Sequence, residues 1–211
     1  KPISIALAIV IVFPSGREEV ELDEEGVLVD VLVKIEYAAL NRADLMQREG
    51  DYPPPPGCPD WMGLEISGTV EKVGANAAKL SDWKPGDKVC ALLGGGGYAQ
   101  HVTVKYDMLM PVPENCSMAE AAAMPEAFAT AYLNLFWEGK IESGNTLLMN
   151  AGASGLASVV IPMAKAFGVR VITTVLNKRI AESITHLGAD VVVNTDEMDI
   201  VEVLKQQLDD G

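Results

Sequence analysis

The chain has few of the side chains that hold metal ions or bind nucleic acid. It contains three cysteines and two histidines, and 16 basic side chains stand against 30 acidic ones, which gives a formal net charge of −14. A surface of this sign repels phosphate backbones and anionic membranes, so we expect neither a nucleic acid nor a membrane partner. A zinc site built from cysteine and histidine has few candidate ligands here.

The cysteines are also far apart in sequence. Cys58, Cys90 and Cys116 form no C-x-x-C pair, and separated thiols of odd number favour a reducing, cytoplasmic setting. The apolar stretch at 3–13 imitates a targeting signal, but it is too short to span a bilayer and is followed by a Pro-Ser-Gly turn. We interpret this stretch as a buried first strand.

The first half of the chain has the pattern of an irregular, mostly antiparallel β domain. Short β-branched runs at 27–37, 66–73, 88–93 and 101–104 are separated by turns of glycine, proline and aspartate. The four consecutive glycines that follow the third run predict a flexible segment, Gly94 to Gly97. We assign residues 1–117 to this β domain.

The pattern then changes to helices and to alternating strands and helices. Ser117 and Glu120 have the spacing of a capping box, and helices are predicted at 118–124 and 128–137. The alternation that follows predicts strands at 146–150, 169–175 and 190–194 and helices at 155–167, 178–187 and 198–208. This order indicates a parallel sheet, so we assign residues 118–211 to a doubly wound nucleotide-binding domain.

Three strands make only half of a doubly wound sheet. The first of them, at 146–150, would then keep an open edge and leave apolar surface facing water. We therefore expect either a truncated chain or one that needs a partner to cover this edge. A complete but smaller domain is the alternative.

The segment 150–158, Asn-Ala-Gly-Ala-Ser-Gly-Leu-Ala-Ser, joins the first of these strands to the first helix. A strand that turns through small residues into a helix aims backbone N–H groups and the helix dipole at an anion. Gly152 and Gly155 would permit the tight turn and the close approach of a pyrophosphate. A turn that merely packs a helix on a sheet is the alternative. The predicted dinucleotide contacts are Ala151, Gly152, Ala153, Ser154, Gly155 and Leu156.

The end of the second strand of this domain has charge that suits a phosphate. NAD sites place an acidic residue there to hold the ribose diol, whereas this chain has Asn177, Lys178 and Arg179. Two cations without an acid favour the 2′-phosphate of NADPH, with a bidentate contact from Arg179 and a point charge from Lys178. The alternative is the charged first turn of a surface helix.

Several motifs occur in a fixed order along the chain. They are Ala-Ala-Leu-Asn-Arg-Ala-Asp-Leu-Met-Gln at 38–47, Tyr-Pro-Pro-Pro at 52–55, Gly-Leu-Glu-Ile-Ser-Gly at 63–68, Pro-Gly-Asp at 85–87, Gly-Tyr-Ala-Gln at 97–100 and the turn at 150–158. Together they resemble the zinc-independent quinone oxidoreductase branch of the medium-chain dehydrogenase/reductase superfamily. The resemblance implies an α/β protein with a GroES-like β domain followed by a partial Rossmann domain, NADPH as cofactor, and a homo-oligomer at full length.

The resemblance also implies which residues form the site. Asn41 and Tyr52 would line the cleft for the nicotinamide and the acceptor, and Thr130 would lie near the cofactor. A turn residue and a loop tyrosine held beside prolines are the alternative interpretations of the first two. Zinc-dependent relatives have a cysteine at the position of Asn41 and a histidine at that of Leu64, so no metal site is expected.

The chain departs from the resemblance at the 2′-phosphate. The usual trio there is serine, lysine and a later tyrosine, and the matching positions here are Asn177, Ile180 and Thr195. Recognition of the 2′-phosphate would then depend on Lys178 and Arg179 instead.

The expected activity is zinc-independent transfer of electrons or hydride from NADPH to a quinone or another small electron-poor acceptor. Such an acceptor needs no Lewis acid, whereas a saturated alcohol would need one to stabilise its alkoxide. Two alternatives remain open: NADPH-dependent reduction of enones or enoyl thioesters, and a catalytically inactive binding or structural protein.

Overall fold

The computed structural model describes residues 30–209, with side chains described up to Gln207. The strand predicted at 3–13 lies outside these residues. The chain divides into two compact units, and the boundary in the sequence lies between Glu126 and Ala127. No helix within the described range is long and apolar enough to cross a membrane.

The first unit is built on an antiparallel sheet, which confirms the β pattern of the sequence. Its strands are β1 (Asp30–Ala38), β2 (Glu65–Val73), β3 (Lys88–Leu92), β4 (His101–Lys105) and β5 (Leu109–Pro111), in the order β4-β1-β2-β3-β5. Alternate residues of the central strands, such as Val31, Val33, Ile66 and Val70, are fully or almost fully buried and form its apolar core. The short β5 was not predicted.

The described part of the first unit also contains three short helices. They are α1 (Arg42–Glu49), α2 (Ala77–Leu80) and α3 (Met118–Ala122), with a 3₁₀ turn at Tyr106–Met108. At α3 the predicted capping box is confirmed, because Ser117 Oγ accepts from the Glu120 N–H at 3.3 Å and the Glu120 carboxylate accepts from the Ser117 N–H at 2.9 Å. Since α3 packs on β1, β2 and β3, it lies with the first unit. The domain boundary at 117/118 stays a prediction.

The glycine segment Gly94–Gly97 was predicted to be flexible, but in the structure it is closely packed. Its last three residues are buried, and their backbone lies against the loop at 57–63. A Cβ on Gly95 would come within 2.7 Å of the Pro59 carbonyl oxygen, and one on Gly97 within 2.8 Å of the Gly63 carbonyl oxygen. The glycines are therefore required for close packing of two backbone segments.

The second unit alternates strands and helices, as predicted. After α4 (Pro125–Tyr132) and a π-helical turn (Leu133–Glu138) come β6 (Thr146–Met149), α5 (Ala157–Ala166), β7 (Arg170–Val175), α6 (Lys178–Ser183), β8 (Val191–Asn194) and α7 (Ile200–Asp209). The helix predicted at 178–187 is in fact the short α6 followed by a separate 3₁₀ turn at Thr185–Leu187.

Strands β6, β7 and β8 form a parallel sheet in that order. The central β7 is buried, and α5 packs on the sheet through Ala157, Val160, Ile161 and Ala164. Strand β6 lies at an edge and has no strand on its outer side within the described residues, which is the open edge expected from the half-sheet.

Candidate functional site

The turn after β6 is held by hydrogen bonds from its backbone N–H groups to Thr174 of the neighbouring strand β7. The Ala151 N–H donates to Thr174 Oγ1 at 3.1 Å, and the Gly152 N–H donates to the Thr174 carbonyl oxygen at 2.8 Å. Ala151 adopts a left-handed backbone conformation, with φ of 55°. For a residue with a Cβ this conformation is strained and is kept only where the surroundings fix it.

Gly152 is required for space and not for backbone freedom. A Cβ at this residue would overlap Thr173 Oγ1 and lie 3.0 Å from Thr173 Cγ2. The Thr173 hydroxyl itself donates to the Met149 carbonyl oxygen at 2.7 Å, so it cannot move away freely. The left-handed position of the turn is Ala151, and the close approach of a pyrophosphate at Gly152 and Gly155 stays a prediction.

The remaining part of the turn is open. Within the described residues, the backbone N–H groups of Ala153, Gly155 and Leu156 make no hydrogen bond. A Cβ on Gly155 would meet nothing within 4 Å. Ala157 begins the ten-residue α5 directly after these groups. Unpaired N–H groups at the start of a helix, next to free space, fit an anionic diphosphate.

The loop after β7 contains the predicted phosphate cations. Asn177 caps α6, because its Oδ1 accepts from the Ile180 N–H at 3.0 Å. Lys178 and Arg179 are exposed, and neither makes a hydrogen bond or ion pair with another described residue. Since β6 and β7 are parallel neighbours, this loop and the turn after β6 both lie at the carboxyl end of the strands. Thr195 donates its hydroxyl to the Val175 carbonyl oxygen at 3.1 Å, which anchors the loop after β8 there.

In the first unit, Asn41 is bound to a buried acid. It precedes α1 as the N-cap, and its Nδ2 donates to Glu65 Oε1 at 2.9 Å. The other carboxylate oxygen of Glu65 accepts from the Glu126 N–H, also at 2.9 Å. Glu65 is only 3% exposed, and this burial raises the pKa of its carboxyl group, while its hydrogen bonds act in the opposite direction.

Asp44 is a second buried acid beside Asn41. Its Oδ2 accepts from the Asn41 N–H at 2.7 Å and from the Tyr98 hydroxyl at 2.8 Å, and its Oδ1 accepts from the Gly63 N–H at 3.3 Å. Burial, followed by this hydrogen bond, raises the pKa of Tyr98 above the ordinary value for tyrosine. Asp44 thus joins the start of α1 to the loop at 57–63 and to the residue after the glycine segment.

Tyr52 and Thr130 belong to different units. Tyr52 lies in the loop after α1 with 42% of its surface exposed, and its hydroxyl has no partner within residues 30–209. Thr130 lies in α4, is half-buried, and accepts a hydrogen bond at its carbonyl oxygen from Asn134 Nδ2 at 2.8 Å. The roles of both residues stay predictions.

By the resemblance, the zinc ligands of zinc-dependent relatives would correspond to Asn41 and Leu64 in this chain. Leu64 is apolar and 6% exposed, and the amide of Asn41 is bound to Glu65. Within the part of the chain that the structure describes, no group of three or more histidine, cysteine, aspartate or glutamate side chains could hold a metal ion. Leu64 therefore offers no donor atom for a zinc ion, and zinc independence stays a prediction.

Sequence reasoning did not single out Glu65, Thr173 or Thr174 as site residues. All three are buried polar side chains in strands that are otherwise mostly apolar at their buried positions. A polar residue at a buried strand position is the signal that could have found them, because a buried polar group needs a specific partner.

The models of two protein families match the chain. Residues 28–114 match "Alcohol dehydrogenase GroES-like domain", and residues 155–211 match "Zinc-binding dehydrogenase". Each of them corresponds to one of the two compact units. With the structural likenesses below, they confirm the predicted fold class, a GroES-like β domain followed by part of a Rossmann domain.

Relatives and solved structures extend the likeness over most of the chain. Mouse quinone oxidoreductase is 28% identical over 206 residues, which are 94% of this chain and 61% of the relative. The quinone oxidoreductase-like protein 2 homolog of Nematostella vectensis is 32% identical over 182 residues, 85% of this chain and 48% of the relative. The chain thus spans about half to three-fifths of the length of these two relatives.

Solved structures show the same likeness. Escherichia coli quinone oxidoreductase complexed with NADPH has a TM-score of 0.74 and 31% identity, and the match covers 85% of this chain and 54% of that one. The quinone oxidoreductase of Pseudomonas syringae pv. tomato has a TM-score of 0.76 and 27% identity, with coverage of 86% and 55%.

Proposed function

Since this chain belongs to the medium-chain dehydrogenase/reductase superfamily, we propose that it acts in an NADPH-dependent oxidoreductase that reduces quinones or other electron-poor acceptors without zinc. The observation that carries this proposal is the turn after β6. It combines three backbone N–H groups that have no partner among residues 30–209, open space at Gly155 and the start of α5. This is the arrangement that a dinucleotide diphosphate requires.

The preference for NADPH rests on Lys178 and Arg179. Both side chains are exposed and unpaired within the described residues. They follow β7 at the carboxyl end of the strands, where the turn after β6 also lies. No acid stands at Asn177 to hold the ribose diol that NADH presents. Escherichia coli quinone oxidoreductase, a structural relative, forms a complex with NADPH, which supports the same choice.

Zinc independence rests on the identity of two side chains. Leu64 has no donor atom, and Asn41 already donates to Glu65. A tetrahedral site needs nitrogen or sulfur ligands that can be spared for the metal. An alcohol substrate would lack the Lewis acid that its alkoxide needs, so an acceptor that is already electron-poor is the better substrate.

The protein's share of the reaction is to bind and to orient. NADPH supplies the reducing electrons when it is bound. The N–H groups of Ala153, Gly155 and Leu156 would hold the diphosphate, while Arg179 would bind the 2′-phosphate through two parallel hydrogen bonds. Tyr52 offers to a planar acceptor a flat, exposed ring and a hydroxyl that has no partner among the described residues. No general acid is required if solvent protonates the reduced quinone.

The quinone oxidoreductase relatives also support a small-molecule substrate for the whole protein. The half-sheet with its open β6 edge supports a homo-oligomer or a longer chain that covers this edge. We place the protein in the cytoplasm, where Cys58, Cys90 and Cys116, all free thiols, would stay reduced.

Turnover is tested by following NADPH oxidation with an ortho-quinone such as 1,2-naphthoquinone and, separately, with an enone. Oxidation with the quinone alone is the expected result. Oxidation with the enone alone would replace the proposal by an enone reductase, and tight NADPH binding without turnover would make the chain a binding protein. The absence of NADPH binding would overturn the proposal altogether.

Cofactor choice is tested by calorimetric titration with NADPH and NADH. We expect Arg179→Ala to weaken NADPH about tenfold, because a bidentate charge-assisted contact is lost, and to leave NADH unchanged. Lys205→Ala removes an exposed cation from α7 and is the matched control, with no change for either nucleotide. Equal affinity of the unaltered chain for both nucleotides would contradict the role of Lys178 and Arg179.

A further inference from the structure

We propose that Glu65 is a positioning residue that holds the side-chain amide of Asn41 in one orientation, with its nitrogen toward the Glu65 carboxylate. The inference rests on the proposed function and on the role that the resemblance implies for Asn41, beside the nicotinamide and the acceptor. It adds a residue that touches neither cofactor nor acceptor and acts through Asn41.

The hydrogen bonds around Glu65 determine the polarity of the contact. The Glu126 N–H can only donate, so Glu65 Oε2 must accept. The other oxygen, Oε1, is 2.9 Å from Asn41 Nδ2, and an ionised carboxylate can only accept there as well. The oxygen of the Asn41 amide therefore cannot face Glu65 without setting two acceptors against each other.

The start of α1 favours the same orientation. Asn41 and Asp44 form a capping-box arrangement in which the Asn41 side chain faces the Asp44 N–H and the Asp44 carboxylate accepts from the Asn41 N–H at 2.7 Å. The Asn41 backbone is thus fixed by Asp44, and the last free torsion of its side chain is fixed by Glu65. Asn41 itself is only half-buried, so the residue is not sealed off from solvent.

The burial of Glu65 indicates that the arrangement is specific. A buried carboxylate is costly unless its oxygens accept hydrogen bonds, and each oxygen of Glu65 has one donor. The variant Glu65→Gln can satisfy only one of these two donors. Its amide oxygen would accept from the Glu126 N–H, and its amide nitrogen would then be turned toward Asn41 Nδ2, so that two donors face each other.

This conflict can be resolved by exchanging the two side-chain types. In the double variant Asn41→Asp with Glu65→Gln, the carboxylate and the amide change places, and the total charge is conserved. The introduced aspartate can accept from the introduced glutamine and still face the Asp44 N–H, while the glutamine oxygen accepts from the Glu126 N–H. Asn41→Asp alone sets two carboxylates against each other in a buried site.

The first experiment is a thermal-melting cycle on the purified chain, and it needs no cofactor. We expect N41D to lower the melting temperature clearly, and the addition of E65Q to bring it back close to that of the unaltered chain. If the two substitutions lower the melting temperature additively, or if the double variant does not fold, the proposed pairing of Glu65 with the Asn41 nitrogen is wrong.

The second experiment separates positioning from mere stability. Ser67 also lies on β2, is fully buried, and donates a hydrogen bond to the Met118 carbonyl oxygen at 2.6 Å. Ser67→Ala therefore removes one buried hydrogen bond from the same strand, at a residue outside the proposed site. At a temperature where both variants are folded, we expect E65Q to lower kcat/KM for the quinone about tenfold, and S67A to leave kcat and KM unchanged.

A wild-type kcat and KM in folded E65Q would show that Glu65 is only structural and would overturn the proposal. Equal losses in E65Q and S67A would do the same, because a general weakening of the first unit would then explain both. Failure of the proposed function looks different. The unaltered chain would then neither bind NADPH nor reduce a quinone, while the melting cycle would still decide how Glu65 holds Asn41.

Discussion

The segment at 94–97 and the turn at 150–156 are both rich in glycine, yet their glycines do not all serve the same purpose. The first segment is filled, because the loop at 57–63 occupies the space where side chains would stand. In the second, Thr173 occupies the space where a side chain at Gly152 would stand, whereas the corresponding space at Gly155 is empty. A glycine-rich segment therefore indicates either close packing of the protein on itself or room for a ligand, and only the surroundings distinguish the two.

The two segments are also fixed by different groups. The region around the packed segment is joined by one buried carboxylate, because Asp44 accepts hydrogen bonds from the Gly63 N–H and from the Tyr98 hydroxyl. The open turn is fixed by the backbone and by the threonines of β7. We expect substitutions near the first to act on stability, and substitutions at the open part of the second to act on binding.

The largest effect is expected at Gly63, in the packed region. Its φ is 109°, and a Cβ there would overlap the Tyr98 backbone nitrogen and come within 2.6 Å of Gly97. Backbone atoms cannot rotate away, so we expect Gly63→Ala to lower the free energy of unfolding by about 4 kcal/mol. Urea unfolding followed by circular dichroism measures this change. A loss below that of Gly152→Ala would contradict the close packing described for this region.

Gly152→Ala should have the second-largest effect. The new methyl group would meet the side chain of Thr173, which is buried and hydrogen-bonded to Met149. We expect a loss of about 2 kcal/mol, as for other overpacked cores. Adding Thr173→Ala removes both Oγ1 and Cγ2, the two atoms that the new Cβ would approach most closely, and should recover part of the loss in the same unfolding assay. No recovery would mean that the strain lies elsewhere in the turn.

The sequence predicts the second unit well because its pattern is local. Strands β6, β7 and β8 are short β-branched or apolar runs, and Gly168 and Gly188 follow the helical segments between them, so the alternation is visible without knowledge of contacts. Helix α1 was missed, since Arg42–Glu49 is largely polar and has a single buried side chain, that of Asp44. It is stabilised by contacts that its own sequence does not indicate.

The site shows the same limit. The turn residues and the cations after β7 could be proposed from spacing and charge alone. Glu65 could not, because its donors are Asn41, 24 residues before it, and Glu126, 61 residues after it. Nor does the run of four glycines show whether its space is filled, since the atoms that fill it belong to the loop at 57–63.

Tyr98→Phe tests the contribution of Asp44 to the packed region, and we expect a smaller loss of stability than for the two glycine variants. It removes the hydroxyl that donates to Asp44 and should lower the free energy of unfolding by about 1 kcal/mol. Because folding raises the pKa of Tyr98 above 10.0, its contribution is fully present below pH 10 and is lost as the pH rises through the folded pKa.

The difference between the unaltered chain and the Tyr98→Phe variant should therefore shrink in unfolding experiments above pH 10. Tyr132→Phe is the matched control, because this tyrosine is exposed and its hydroxyl has no hydrogen bond to a described residue. We expect it to leave stability unchanged at every pH. A constant difference for Tyr98→Phe across the alkaline range would show that the hydroxyl titrates normally in the folded chain.

Gly155→Ala should change stability least, by no more than about 0.5 kcal/mol in either direction. Its φ is not left-handed, and the added methyl group would meet no atom of the described chain. If that space receives the diphosphate, however, the methyl group would obstruct the ligand and weaken NADPH binding about tenfold or more. Calorimetric titration and urea unfolding of the same preparation measure both quantities.

The pair Gly152→Ala and Gly155→Ala then separates the two uses of glycine within a single turn. The same methyl group is added three residues apart, and only the surroundings differ. Undiminished NADPH affinity in a stable Gly155→Ala variant would mean that the diphosphate does not approach this space. A large loss of stability in that variant would instead mean that the space is already occupied by the protein, so that the turn after β6 resembles the packed segment at 94–97.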